Sequence, residues 1–290
     1  MATHRACGAC RAGTGCVVTP SVDIIIVNYN TREDLAACLA SLTDAWPACA
    51  AQAIVVDNAS TDGSVAMVNS RWPAVRTMGL PRNLGFGAAN NVAMRQSQAP
   101  FVLLLNSDTI VPAGAIDTLL SRLEATRAAA AGPRLVDGAG RPEVSFGSML
   151  TPWTELMQRR RVRMAAQGTA QAMEQTERLL AEERFVDWVS GACLLLRRAD
   201  AEAAGFFDER YFMYEEDVDL CAAIRRRGGT VLFTPAAHIT HLRGRSVAQL
   251  TGSAGPTHYD RSHVAFYEKH APGWAPWLRL WLRFRGRTIR

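Results

Sequence analysis

A short apolar segment that ends on polar side chains is the feature of this sequence that most restricts its fold. FVLLLNSDTIV (residues 101–111) is apolar through Leu105 and then changes to Asn106-Ser107-Asp108. A strand that is apolar on both faces must be covered on both faces, as in a parallel sheet flanked by helices. The sequence therefore predicts an α/β fold in which this strand is central.

The part of the chain before this segment repeats the alternation of a strand with a helix. Strands are predicted at residues 22–27, 53–57 and 75–78, and the first helix is expected to begin at a Thr31–Asp34 capping box. Such sheets bind ligands beyond the carboxyl ends of their strands. Polar clusters follow each strand there: Asn28-Tyr29-Asn30, Asp57-Asn58, Asn83 to Asn90, and the triplet at 106–108. We therefore expect a binding site at this edge.

The second half has a different pattern. One helical stretch is predicted from Trp153 to about Glu183, one strand at 188–198, and two short strands at 230–234 and 238–242. Carboxylates are dense before the last two strands: Asp208, Glu209, Glu215, Glu216, Asp217 and Asp219.

Asp217 is expected at the start of a helix. The helix dipole there would keep its carboxylate ionised and able to accept a proton. The alternative is that these carboxylates only cap the helix or cover a solvated surface.

Asn106 and Asp108 place oxygen-bearing side chains at i and i+2, on the same side of an extended chain. Such oxygens hold Mg²⁺ or Mn²⁺, with phosphate and water completing the shell. A bound metal offsets the charge of a diphosphate leaving group. The alternative, which the triplet alone favours, is that Asp108 caps a helix beginning near Pro112.

Composition and charge exclude several classes of protein. Of the 290 residues, 48% are hydrophobic and 20% are charged, which is ordinary for a globular protein and not for a disordered one. The net charge of +5 comes from local arginine clusters, so no nucleic-acid partner is expected. No segment is long and apolar enough to cross a bilayer or serve as a signal peptide, which predicts a cytoplasmic location.

Residues 1–20 are predicted to be a disordered leader. Its residues His4, Cys7, Cys10 and Cys16 could supply four zinc ligands, but no apolar residues around them would build a zinc module. The chain has seven cysteines, and this odd number favours reduced thiols over a disulfide framework.

Seven motifs occur in order along the chain: VDIIIVNYN, VVDNASTDGS, NLGFGAANN, LLLNSDT, WVSGACLLLRR, GFFDERYFMYEEDVDL and HLRGRS. Together, from about Ser21 to about Ser246, they resemble the bacterial family 2 glycosyltransferases, and within them the rhamnosyltransferase-like branch. The resemblance implies a GT-A fold, which is Rossmann-like with a mostly parallel central sheet and helices on both faces. It assigns residues 21–250 to the catalytic domain.

The resemblance also implies the reaction and the partners. A sugar, L-rhamnose in this branch, would pass with inversion from a dTDP- or UDP-linked donor to a hydroxyl of a glycan or lipid-linked acceptor. Residues implied in donor binding are Asn28, Asn30, Asp57, Asn83, Gly85, Asn106 and Asp108. The divalent metal, Mg²⁺ or Mn²⁺, would be held by Asp108, Asn106 and His241. Asp217 would be the general base, with Glu216 as the next candidate.

One position departs from the family pattern. Six residues after Asp217, where the family has an arginine, this chain has Ala223, and Arg225 or Arg226 could substitute for it. The alternative function is therefore a catalytically degenerate nucleotide-sugar-binding or scaffold protein with the same fold. The intact aspartate and histidine positions argue against it. A dehydrogenase is excluded because no glycine fingerprint follows the first strand.

Residues 251–290 are predicted to be a C-terminal helical extension. Apolar residues form one stripe beside several arginines: Trp274, Trp277, Leu278, Trp281 and Leu282. Such a helix can pack its tryptophans onto the catalytic domain, or it can lie on an anionic membrane surface. In the second case the protein would be peripheral on the inner face of the plasma membrane.

Overall fold

The computed structural model describes residues 21–242 and 255–287. Its elements, in chain order, are β1 (Val22–Asn28), α1 (Arg32–Asp44), β2 (Ala51–Asp57), α2 (Ser64–Arg71), β3 (Arg76–Gly79), α3 (Phe86–Met94), β4 (Phe101–Asn106), β5 (Thr109–Ile110), α4 (Ala115–Thr126), β6 (Ala130–Val136), β7 (Pro142–Glu143), β8 (Phe146–Gly147), α5 (Pro152–Ala166), α6 (Ala170–Leu180), β9 (Arg184–Val186), β10 (Trp188–Val189), β11 (Cys193–Arg197), α7 (Arg198–Ala204), α8 (Glu216–Arg226), β12 (Val231–His241), α9 (Gly255–His270) and α10 (Ala275–Phe284). The predicted leader, with its cysteine cluster, lies outside the described residues, as does most of HLRGRS.

One ten-stranded sheet runs through the centre of the molecule, with its main path in the order β3-β2-β1-β4-β11-β6-β12-β5. β1 is parallel to β2 and β4, and β2 is parallel to β3. β11 is antiparallel to both β4 and β6, while β6 and β12 are parallel. The predicted α/β fold is confirmed, with a parallel first half and a mixed second half.

The central strand is apolar because both of its faces are buried. Leu103 and Leu105 pack into one cluster with side chains of α1 and α4, and Leu104 packs into another with α3 and α8. Full burial of a leucine side chain stabilises a fold by roughly 1.5–3 kcal/mol. This strand therefore holds helices on both faces of the sheet.

Several predicted boundaries in the first half are wrong. β3 is not an apolar strand but a partly exposed edge strand. The capping box at α1 does not form, because the Thr31 hydroxyl donates to Asn28 Oδ1 at 2.8 Å and lies 2.9 Å from Ser107 Oγ. Asp108 caps no helix, since α4 begins seven residues later after Gly114 in the left-handed conformation.

The second half also differs from its prediction. The helical stretch divides into α5 and α6 around Gly168, which has φ +67°. The strand predicted at 188–198 is interrupted at Ser190–Ala192, which separates β10 from β11. The two short strands at 230–242 are one strand, β12, whose register shifts between Thr234 and His238. Pro235 lies in this shift and has no amide hydrogen to donate.

The apolar stripe predicted on the last helix is partly buried and partly exposed. Leu282 is buried and Leu278 packs against an apolar cluster, whereas Trp277 is 66% exposed and Trp274 and Trp281 are also exposed. The expectation that these tryptophans pack onto the catalytic domain is therefore wrong. None of the helices in the described ranges is long and apolar enough to cross a membrane. The four cysteines described there are free thiols.

Candidate active site

A cavity with a volume of about 710 Å³ lies where β1 and β4 end, at the edge of the sheet that the sequence singles out. Such a volume is within the usual range of small-molecule sites. Most of the predicted site residues line its wall: Asn83, Gly85, Asn106, Asp108, Glu216, Asp217 and His241.

Asn28, Asn30 and Asp57 are not part of this wall. Asn28 Nδ2 donates to Asp57 Oδ1 at 3.1 Å and to Ser60 Oγ at 3.0 Å. Asn30 Oδ1 accepts the Thr61 N–H at 2.8 Å. These side chains join the loops after β1 and β2, and their contact with the donor stays a prediction.

The loop before α3 is fixed by hydrogen bonds to Asn58, a residue that lines the cavity and that the sequence placed in a polar cluster without a donor-binding role. Asn58 Nδ2 donates to Asn83 Oδ1 at 2.8 Å, and Asn58 Oδ1 accepts the Leu84 N–H at 2.8 Å. Gly85 has φ +87°, and a Cβ at this position would lie 2.2 Å from the Phe212 carbonyl oxygen. Only glycine fits this close approach.

His241 lies between two acidic side chains at the end of β12. Its Nε2 is 3.4 Å from Asp108 Oδ1 and from Asn106 Nδ2, and its Nδ1 is 3.3 Å from Glu143 Oε2. Burial lowers the pKa of His241, but contacts with Asp108 and Glu143 together outweigh burial and raise it to about 9. Glu143 was missed because it lies in a two-residue strand, β7, outside the recognised motifs.

Asp217 lies at the start of α8 with each carboxylate oxygen bonded to the backbone. Oδ2 accepts the Gly191 N–H at 2.8 Å, and Oδ1 accepts the Val218 N–H at 2.8 Å. Desolvation by burial nevertheless raises the pKa of Asp217 to about 6. The loss of water therefore outweighs the backbone dipoles that favour the charged form, although a carboxyl group with a pKa of about 6 is still mostly ionised at pH 7.

Glu216 also faces the cavity, and its Oε2 is buried without a hydrogen-bond partner. Burial, followed by the neighbouring charge of Asp217, raises the pKa of Glu216 well above its usual range. The two adjacent carboxyl groups therefore have different environments: both oxygens of Asp217 are bonded to the backbone, whereas one oxygen of Glu216 has no hydrogen-bond donor.

The segment at residues 212–215, immediately before α8, contacts one face of α9. Phe212 stacks on His258 with ring centroids 4.6 Å apart. The Ser262 hydroxyl donates to the Met213 carbonyl oxygen at 2.8 Å. Phe212 also accepts the Phe86 N–H at 2.9 Å, so the 212–215 segment touches both α9 and the start of α3.

The second half of the 212–215 segment is strained and charged. Tyr214 and Glu215 have φ values of +71° and +67°, which non-glycine residues adopt rarely. Tyr214 packs edge-on against Tyr259, and Glu215 Oε1 lies 3.0 Å from His263 Nδ1. His263 Nε2 lies 3.2 Å from Glu155 Oε1. This histidine therefore joins the 212–215 segment, α9 and α5.

Arg225 and Arg226, the two candidates to replace the arginine at position 223, contact residues outside the carboxylate cluster. Arg225 pairs with Asp187 at 2.7 Å, and Arg226 lies 3.0 Å from His270 Nδ1. The buried Asp219 instead pairs with Lys269 at 2.8 Å and with His270 at 2.6 Å. The cation that pairs with Asp219 thus comes from α9, while Arg210 and Arg95 pair with Asp208 and Glu209 of the carboxylate cluster.

Comparison with known proteins agrees with this architecture. The model of the family described as Glycosyl transferase family 2 matches residues 23–183. The N-acetylglucosaminyl-diphospho-decaprenol L-rhamnosyltransferase of Mycobacterium tuberculosis is 30% identical over 295 residues, which cover 92% of this chain and 90% of that protein.

Solved structures share the fold at lower identity. GalNAc-T7, crystallised with UDP, GalNAc and Mn²⁺, matches with a TM-score of 0.62 and 15% identity over 87% of this chain and 48% of its own. Mannosyltransferase PcManGT from Pyrobaculum calidifontis, in complex with GDP-Man and Mn²⁺, matches with a TM-score of 0.54 and 17% identity. The match covers 94% of this chain and 77% of that protein's chain. The predicted GT-A fold is confirmed. The chain belongs to glycosyltransferase family 2 and is similar to its rhamnosyltransferases.

Proposed function

We propose that this protein is an inverting glycosyltransferase that moves a hexosyl group, L-rhamnose, from a nucleotide diphosphate to a hydroxyl of a lipid-linked glycan of the cell envelope. The observation that carries the proposal is a single cavity lined both by Asp217 and by the Asn106–Asp108 triplet. The mycobacterial relative, by its name, uses an N-acetylglucosaminyl-diphospho-decaprenol acceptor and transfers L-rhamnose.

Asp217 is the proposed base. Its carboxylate takes the proton of the acceptor hydroxyl while the acceptor oxygen forms a bond to the anomeric carbon of the donor. The bond from that carbon to the diphosphate oxygen breaks, and its electron pair leaves with the nucleoside diphosphate. A single displacement of this kind inverts the anomeric configuration. The backbone N–H groups of Gly191 and Val218 hold the carboxylate in position.

A divalent metal is the proposed cofactor, and the triplet has side chains that fit it. Asp108 Oδ1 is buried and has no donor closer than His241 Nε2 at 3.4 Å among the described residues, so a hard cation could bind this oxygen. Asn106 and His241 would complete the protein ligands, the histidine only as neutral imidazole. Mg²⁺ or Mn²⁺ supplies charge neutralisation for the diphosphate when bound. In the described residues no cluster of three or more His, Cys, Asp or Glu could hold an ion unaided.

A peripheral position at the inner membrane face is part of the proposal. Apolar side chains of α10 are exposed beside arginines, notably Trp277 at 66% and Phe284 at 83% exposure. Tryptophan next to arginine is typical of helices that lie in the interface of an anionic bilayer. A protein there would reach a lipid-linked acceptor without crossing the membrane.

A donor screen tests the proposed function. Thermal shifts should be measured with dTDP-rhamnose, UDP-sugars and GDP-mannose, each with Mn²⁺ or with EDTA, because a ligand that binds the folded state raises Tm. The expected result is the largest shift with dTDP-rhamnose and metal, followed by transfer to a lipid-linked N-acetylglucosaminyl diphosphate with inverted configuration by NMR. Donor binding without any transfer would favour the degenerate scaffold.

A further inference from the structure

Part of the cavity wall has no role in the chemistry described so far. It is formed by the segment around β8, by α5, and by β10, and it continues to α9 through Tyr259. β8 and β10 pair as a separate two-stranded sheet. We call this the β8–α5 wall and define it by Ser145, Gln158, Arg159 and Trp188, all of which line the cavity.

Two polar atoms of the β8–α5 wall are buried without a partner. The Ser145 hydroxyl makes no hydrogen bond, and neither does Gln158 Oε1. Gln158 Nε2 donates to the Phe146 carbonyl oxygen at 2.9 Å, which fixes the orientation of the amide. Buried polar atoms are paired in most folded proteins, so these two atoms require a partner from the cavity, which a ligand hydroxyl or a water can supply.

Trp188 adds an aromatic surface to the same wall. Its indole N–H donates to the Ser148 carbonyl oxygen at 2.9 Å, which fixes the ring. The ring packs directly on Gly147, where a Cβ would lie 2.7 Å from Trp188 Cζ2. An aromatic ring beside unpaired hydrogen-bonding atoms suits a sugar, which has one apolar face and several hydroxyls.

Arg159 supplies a positive charge at the edge of the β8–α5 wall. Within residues 21–242 and 255–287, it is the one Arg or Lys that lines the cavity. Its Nη2 lies 3.1 Å from Glu155 Oε2, while the other oxygen of that carboxylate faces His263. A guanidinium has five N–H donors, so this contact leaves donors for an anion, and phosphate is a matched bidentate acceptor.

We propose that the β8–α5 wall is the acceptor subsite and that it recognises a saccharide joined to a diphosphate. Ser145 Oγ and Gln158 Oε1 bind sugar hydroxyls, Trp188 covers the apolar face of the sugar ring, and Arg159 binds the diphosphate. Through the Glu155–His263–Glu215 contacts, this wall is joined to the segment that precedes the base. The inference rests on the proposed glycosyl transfer.

Two acceptors that differ only in the diphosphate provide the test. One is a short-chain lipid N-acetylglucosaminyl diphosphate, and the other is an alkyl N-acetylglucosaminide with the same chain. Arg159→Gln should raise KM at least tenfold for the diphosphate acceptor and leave KM for the alkyl glycoside and for the donor unchanged. Arg160→Gln is the matched control, because Arg160 is exposed on α5 and does not line the cavity.

The hydroxyl contacts are tested separately. Gln158→Leu and Ser145→Ala should raise KM for both acceptors severalfold without changing KM for the donor. Equal losses with the two acceptors in Arg159→Gln, or a loss in donor KM, would overturn the assignment of Arg159.

Calorimetry distinguishes a failure of the proposed acceptor subsite from a failure of the proposed glycosyl transfer. It measures binding of the diphosphate acceptor to the wild-type protein and to Arg159→Gln. Wild-type binding that Arg159→Gln weakens, without any sugar transfer, would reject the proposed function and retain the subsite. Sugar transfer with unchanged acceptor affinity in every variant would reject the subsite and retain the proposed function.

Discussion

Asp217 combines a raised carboxyl pKa with a fixed orientation, and both properties suit a base that operates near neutral pH. Burial disfavours its charged form, yet two backbone N–H groups hold the carboxylate. Glu216, with an unpaired buried oxygen, is held less firmly. Of the two neighbouring carboxyl groups, Asp217 is therefore the better candidate.

Replacing the base should separate turnover from binding. Asp217→Asn keeps the shape of the side chain and an oxygen for one backbone bond but cannot take a proton. We expect kcat to fall by roughly 10² to 10⁴ with donor affinity and Tm nearly unchanged. Steady-state kinetics and donor titration measure both quantities. Turnover within a few-fold of wild type would transfer the role to Glu216.

Activity should decrease on the acid side of neutral pH. The pKa of Asp217 is raised to about 6, so at pH 7 most of the protein holds the ionised base. Protonation below pH 6 removes the base, and kcat/KM should fall about tenfold per pH unit there. A pH–rate profile with a metal-saturated enzyme checks this. A flat profile down to pH 4.5 would contradict it, because the pKa would then have its unperturbed value.

Removal of the Asp108 carboxylate should affect the donor and the metal together. Asp108 is the one carboxylate of its triplet, and the nearest donor to its buried Oδ1 among the described residues is His241 Nε2 at 3.4 Å. In Asp108→Ala we expect weaker donor binding and loss of the increase in affinity that Mn²⁺ gives to the wild-type protein. Calorimetry with donor, with and without Mn²⁺, is the measurement. An unchanged metal requirement would remove Asp108 from the metal site.

Among the elements, α9 falls in the predicted helical extension, but its contacts with the candidate site were not predicted from the sequence. The apolar strands and the polar clusters at their ends can be predicted because neighbouring residues carry the pattern, as in residues 101–108. The contact of His263 with Glu215 joins residues 48 positions apart, and local patterns do not report such pairs. The segment before α8 likewise shows no glycine where Tyr214 and Glu215 adopt positive φ.

At other places local packing that the sequence does not show explains what the structure adds to the prediction. The predicted strand at 188–198 is interrupted where Gly191 approaches Asp217 and Phe86, a close packing that the sequence alone does not reveal. Asp57, predicted to bind the donor, is bonded to Asn28 and to the Ser60 N–H and so joins two loops, while its contact with the donor stays a prediction. At both places the sequence alone does not reveal the tertiary contacts that fix the local structure.

The contribution of α9 to stability should depend on His263 and on pH. Burial lowers the pKa of His263, but its contacts with Glu155 and Glu215 outweigh burial and raise it to about 9. A histidine with a raised folded-state pKa contributes stability below its unfolded pKa near 6.5, and this stability is lost as pH rises through 9. The contribution is at most about 3 kcal/mol.

His263→Gln should therefore unfold more easily than wild type at pH 6 and approach it at pH 9.5. Denaturant unfolding of both proteins across this range measures the difference, and His238→Gln, at an exposed position of β12, is the control. A difference in unfolding free energy that does not change with pH would show that His263 stabilises by packing and not by charge.

At the scale of the whole molecule, the proposed donor side and the proposed acceptor side of the cavity come from different halves of the chain. The strands from β1 to β4 end beside the loop at Asn83 and the triplet, while α5, β10 and α9 form the other walls. The 212–215 segment contacts both parts, through Phe86 on one side and His263 on the other. This arrangement places the proposed base where the two substrates would meet.

The position of α10 leads to a prediction about the membrane. Its buried face, with Leu282 and Ala275, attaches it to the rest of the molecule, and Arg279 and Arg287 pair with Glu268 and Asp260 of α9. Cutting the chain after Pro272 would therefore remove binding surface and stabilising contacts together. Substitution of exposed side chains separates the two effects, since such changes usually alter stability by less than about 0.5 kcal/mol.

We expect the full chain to co-sediment with vesicles that contain anionic lipid and to bind less as salt increases, because arginines supply part of the attraction. Trp277→Ser combined with Phe284→Ser should abolish this binding and leave Tm and transfer to a water-soluble acceptor unchanged. The chain cut after Pro272 should also fail to bind. If the intact protein ignores anionic vesicles while the truncated chain aggregates, α10 serves the fold alone, and the peripheral position is wrong.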